Sequence, residues 1–116
     1  MDTYSKVNNL LCERAGVNEK KIENKSYKVK DLTLMTIRDV LYAIGEITYE
    51  NINENMYFAL LSGGFLNKNT VYTAVELKHG VLNIALYADE GIIKQHTCED
   101  ALNEIEKNIN KYICNK

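Results

Sequence analysis

A chain of 116 residues, 46% hydrophobic and 26% charged, has the size and composition of one folded domain spanning 1–116 and not of a disordered tail. A net charge of −2 and a pI near 5.7 weigh against a surface built for nucleic-acid phosphates or anionic membranes. No apolar run reaches the roughly 20 residues of a membrane helix, and Met1-Asp2-Thr3-Tyr4-Ser5-Lys6 lacks the pattern of a secretory signal, so a cytoplasmic protein is expected.

Proline and tryptophan are absent. Cys12, Cys98 and Cys114 are widely spaced and odd in number, which suits free thiols in a reducing compartment and not a disulfide framework. Asparagine, lysine and isoleucine are abundant, as in AT-rich coding, a hint of a low-GC bacterium or a mobile element.

The first predicted element is a helix from Thr3 to Ala15. Tyr4, Val7, Leu11 and Ala15 form its stripe, and Gly16 stands at the C′ position. Residues 17–31 carry Lys20, Lys21, Lys25, Lys28 and Lys30 and read as a polar linker, with a short edge strand at Tyr27-Lys28-Val29. A second helix is capped by Thr36 with Asp39 three residues on; Ile37, Val40, Leu41 and Ile44 make its apolar face, and Gly45 ends it. Thr48 is expected to cap a third helix, with Ile52, Met56, Ala59 and Leu60 at helical spacing and Ser62-Gly63-Gly64 as its stop.

From Thr70 the period changes to 2. Thr70–Lys78 and Val81–Ala88 flank His79-Gly80, a two-residue hairpin loop. Pairing outward from that loop sets Leu77 against Leu82, Val75 against Ile84, Thr73 against Leu86 and Val71 against Ala88 on an apolar face. The other face pairs Lys78 with Val81, Glu76 with Asn83, Ala74 with Ala85 and Tyr72 with Tyr87. A one-residue slip would scramble the two faces, so the pattern fixes the register. Ile92–His96 is expected as a third strand. Thr97 then caps a last helix with the stripe Ala101, Leu102, Ile105, Ile109, Tyr112 and Ile113. The expected fold is α+β: N-terminal helices plus a three-stranded antiparallel β-meander covered by a C-terminal helix.

Residues 36–82 also resemble, in part, a winged-helix DNA-binding domain. Thr36–Ile44 matches its first helix and Thr48–Leu61 its second. Asn67-Lys68-Asn69-Thr70-Val71-Tyr72 is similar to the start of a recognition helix, and Gly80-Val81-Leu82 to the turn into the wing. That resemblance implies a transcriptional regulator whose Lys68, Asn69, Thr70 and Tyr72 meet DNA. The β-branched alternation from Thr70 and the acidic balance favour the strand reading instead.

Enzyme motifs are missing: G-x-G-x-x-G, G-x-x-x-x-G-K-[ST], G-x-S-x-G and H-E-x-x-H do not occur. His96-Thr97-Cys98-Glu99-Asp100 is the best reactive cluster, because a helix start and a nearby imidazole can activate Cys98. Glu99 and Asp100 oppose that activation and are the ordinary complement of a helix start. With only two histidines, a metal site on His96, Cys98 and Asp100 lacks a further strong ligand. Glu50 with Glu54 and Glu104 with Glu106 read as solvated carboxylates. The remaining feature is a platform on the less apolar sheet face, where Tyr72 and Tyr87 sit beside Ala74 and Ala85, with Lys94 and His96 nearby. The sequence therefore predicts a small non-enzymatic accessory or regulatory protein. It would self-associate or bind a protein partner through Tyr72, Tyr87, Lys94 and His96, or through an open sheet edge, and need no cofactor, metal or small-molecule substrate. A simpler fate for the tyrosine face is to pack under the N-terminal helix, whose Val7 and Leu11 need a floor.

Overall fold

The computed structural model describes residues 3–28, 30–62, 70–88 and 97–114. Helix α1 spans Ser5–Ala15 and stops at Gly16, which takes the left-handed conformation (φ 68°) and donates its N–H to Cys12 O at 2.9 Å. After it come strand β1 (Glu23–Lys28), helix α2 (Leu34–Ile44) and strands β2 (Gly45–Asn51), β3 (Met56–Leu61), β4 (Val71–Lys78) and β5 (Val81–Ala88). Helix α3 spans Thr97–Cys114. The strands form one antiparallel sheet in the order β1-β5-β4-β3-β2.

The β4–β5 hairpin has the register read from the sequence at all eight pairs, from Val71 with Ala88 to Lys78 with Val81. His79 and Gly80 both have positive φ, 51° and 77°, which a two-residue turn matched to strand twist requires. Ile92–His96, expected as the meander's third strand, lies outside the described residues.

The α+β class holds, but the sheet has five strands in place of three. The expected third helix is a strand pair. Gly45–Asn51 and Met56–Leu61 are joined by a one-turn 3₁₀ helix (Ile52–Glu54) and by Asn55 at φ 56°. The physical reason is burial on both faces: in β3 only Leu60 is not fully buried, so no alternation survives and the run imitates a helical stripe. A bulge between Ile47 and Tyr49, which leaves Thr48 without a counterpart on β3, also breaks the period in β2. The winged-helix reading meets strands at the same places: β2 and β3 run through its expected second helix, and Val71–Lys78 is a strand where its recognition helix would continue, while 67–69 lie outside the described residues.

Segment 17–31 is more ordered than a linker. It holds a 3₁₀ turn (Glu19–Lys21) and β1, which pairs with β5 from Glu23–Leu86 to Lys28–Val81. The expected strand at 27–29 begins earlier. The cap of α2 is Thr33, whose Oγ1 accepts from Thr36 N at 3.2 Å, so the helix starts one turn before the expected Thr36.

Helices cover both sheet faces. On one, α2 and α3 set Ile37, Val40, Leu41, Ala101, Ile105 and Ile109 against Val71, Val75, Leu82, Ile84 and Leu86. On the other, α1 sets Val7, Leu10 and Leu11 on Met56, Phe58, Ala74 and Ala85. The fully buried Ala74–Ala85 pair keeps the sheet low enough for α1 to lie close. No helix among the described residues is long and apolar enough to cross a membrane.

Candidate functional site

Tyr72 and Tyr87 are neighbours, as their register demands: the rings stack with centroids 6.2 Å apart and an 18° interplanar angle. They do not form an open platform. Both are half-buried at the margin of the α1 cluster, with Ala15, Val17, Ile22 and Leu60. Helix α1 is also tied down by polar contacts. Asn24 Nδ2 donates to Asn8 Oδ1 at 2.8 Å, Tyr4 and Ser26 hydroxyls meet at 2.9 Å, and Lys6 pairs with Glu54. The fate of this face is to be the floor of α1. Lys94 and His96 lie outside the described residues. Cys98 is buried (4% exposed) in the α2–α3 cluster and takes the part of a small core residue.

A different surface is open. Along α2, Met35, Arg38 and Tyr42 follow i, i+3, i+7 spacing, with Met35 59% and Tyr42 51% exposed. The Arg38 guanidinium lies 5.4 Å from the Tyr42 ring centroid. Its pKa is raised, first by a hydrogen bond with Tyr42 and then by the charges of Tyr42 and Glu50. Burial, then the Glu50 carboxylate, raise the Tyr57 phenol, and Arg38 opposes them. Helix α2 and β2 are contiguous, since the chain passes from Ile44 into β2 with no loop.

Strand β2 is a sheet edge, paired only with β3 among the described residues. It exposes Glu46, Thr48 and Glu50. The opposite edge, β1, exposes Lys25 and Lys28, a usual guard against strand addition. The β2 edge is therefore acidic, while β1 carries both signs, with Glu23 exposed beside its two lysines.

The third feature is a cavity of about 530 Å³ where the start of α1 meets the β4–β5 turn. Glu76 and Asn83, opposite each other in register, are 4% and 3% exposed and line it with Lys6, Lys78 and His79. Asn83 Nδ2 donates to Glu76 Oε1 at 3.3 Å, and Ser26 Oγ donates to Asn83 Oδ1 at 2.7 Å. Lys6 Nζ stands 3.9 Å from Glu76 Oε2, while its hydrogen bond goes to Glu54.

The sequence pattern places Tyr72 and Tyr87 together but hides the α2–β2 surface, because 48–61 reads as a helix. The β-branched and aromatic content of Ile47-Thr48-Tyr49 and Tyr57-Phe58 was the available signal. No family model matches the chain, and no curated protein matches it.

Proposed function

We propose that this chain is a non-enzymatic module that works by binding a polypeptide along the β2 edge and the adjoining face of α2. The supporting observation is the continuity of that surface: an open strand edge beside exposed Met35 and Tyr42, with Arg38 held on the Tyr42 ring. Strand addition supplies main-chain hydrogen bonds, and methionine, tyrosine and arginine are the side chains favoured at protein contacts. Glu46 and Glu50 select the partner. Two β2 strands paired about a two-fold at Thr48 would set Glu46 opposite Glu50, a like-charge contact that destabilises a sheet pair. The occupant is therefore an extended basic segment of another polypeptide.

The test is a backbone-amide NMR titration with an alternating valine–lysine peptide and its valine–glutamate counterpart, with light scattering on the same sample. The lysine peptide is expected to shift Gly45–Asn51 and the Met35–Tyr42 face. Tyr42→Ala should weaken binding by about 1–2 kcal/mol while leaving stability within about 0.5 kcal/mol. Equal affinity for the two peptides, or shifts confined to other surfaces, overturns the reading. A scattering mass of two chains that Tyr42→Ala returns to one would make a second copy the occupant, and would also overturn it.

A further inference from the structure

The cavity at the start of α1 is built around a carboxylate whose hydrogen-bonding capacity is largely unused. An ionised carboxylate can accept at about four positions. Among the described residues, Glu76 accepts one hydrogen bond, from Asn83, and Oε2 has the Lys6 ammonium at 3.9 Å, beyond hydrogen-bond reach. Lys6 stands near enough for a long ion pair with Glu76, but its hydrogen bond goes to exposed Glu54, so Oε2 keeps room for a closer donor. The Asn83 amide is fixed by Ser26 on one side and Glu76 on the other, so the floor of the cavity is pre-arranged. Buried carboxylates are retained where they meet a donor or a cation. Here the space beside the carboxylate is about 530 Å³, within the range of small-ligand sites. The wall adds Lys78 and His79 from the hairpin turn, groups suited to an anionic substituent.

We propose that this cavity is a binding site for a small zwitterionic amine of the free α-amino acid class. The ammonium group donates to Glu76 Oε2, and the carboxylate is held by Lys78 and His79. The site is separate from the β2 edge and does not depend on what binds there.

Amide NMR titration of the intact chain with pools of the proteinogenic amino acids, each at about 5 mM, tests it. Saturable shifts are expected at Ser5, Lys6, Glu76–Val81 and Asn83. The N-acetylated forms of the same amino acids, which lack the ammonium, should give none, and neither should inorganic phosphate. Putrescine, an amine without a carboxylate, should bind at least about tenfold more weakly. Glu76→Gln, which keeps the side-chain shape, should weaken amino-acid binding about tenfold or more with the remaining spectrum unchanged. If that variant fails to fold, the comparison of free and acetylated ligands on the unsubstituted chain decides the matter alone. Absence of saturable shifts with every pool, equal binding of the acetylated forms, equal binding of putrescine, or full binding by folded Glu76→Gln each overturns the proposal.

Discussion

Gly45→Ala asks whether β2 is a strand pressed against β3 or the end of a helix followed by a loop. A Cβ on Gly45 would stand 2.4 Å from Leu60 O and 2.9 Å from Leu61 Cα. Carbon contacts are optimal near about 3.5–4.0 Å, so the two strands must separate by roughly 1 Å. Leu61 Cδ2, at 2.8 Å, can rotate away, but the other two obstructing atoms are backbone and no side-chain rotation relieves them. Overpacking of this kind costs about 1–3 kcal/mol, against which alanine recovers about 0.4–1 kcal/mol by restricting the unfolded chain. The net loss is about 1–2 kcal/mol, equivalent to a fall in Tm of roughly 4–10 °C for a chain of this length. Urea unfolding followed by far-ultraviolet circular dichroism reads it as a lower midpoint at unchanged slope. Gly16→Ala is the control. It meets no atom within 4 Å, so its loss comes from the left-handed backbone alone, about 1 kcal/mol, and strand pairing is untouched. A Gly45→Ala variant as stable as the parent would refute the close approach of β2 to β3, and with it the edge on which the proposed contact rests.

The Lys6–Glu54 pair gives a pH dependence. The hydrogen bond with Lys6, followed by its charge, lowers the Glu54 pKa, so this contribution is present above the ordinary carboxylate range and is lost as pH falls through the depressed value. The same bond raises Lys6, whose contribution is full below its ordinary pKa and lost only as pH rises through the elevated one. Glu54→Gln should therefore flatten the acid limb of the stability curve, with the difference shrinking in high salt because both groups are exposed. Iodoacetamide mapping near neutral pH should label half-exposed Cys12 well before buried Cys98; a faster Cys98 would restore the reactive-thiol reading. A double-mutant cycle of Tyr72→Leu and Tyr87→Leu should return a coupling of about 0.5–1.5 kcal/mol, and zero coupling would dissolve the stacked pair.

The β4–β5 hairpin was legible because each of its two faces has its own chemistry. Val71, Thr73, Val75 and Leu77 serve the α2–α3 side, while Tyr72, Ala74 and Glu76 serve the α1 side, so one register satisfies both. Strand β3 lies in the same sheet and was illegible for a related reason. Met56 and Phe58 face α1, while Tyr57 and Ala59 face the other helices, so both faces are apolar and the sequence carries no polar mark of strand period. The α2–β2 junction has no loop to read, since Ile44 ends the helix and Gly45 begins the strand. Helix α1 was placed well by its stripe, but a stripe does not say which surface it covers.

The same covering of both faces bears on where function can reside. Once α1 occupies one face and α2 with α3 the other, the broad sheet surfaces are spent on the core, including the Tyr72–Tyr87 pair that composition had singled out. What remains among the described residues are the margins: the acidic β2 edge, the mixed-charge β1 edge, the outer stripe of α2, and the cavity where the start of α1 meets the hairpin turn. Residues at such margins are polar or scattered, and their meaning depends on which strand ends the sheet. That order is set by the long-range pairing of β1 with β5, which joins Glu23 to Leu86 and leaves β2 as the far edge. Local periodicity holds no record of such a pairing, so the tyrosine pair could be located from the sequence while the open edge could not.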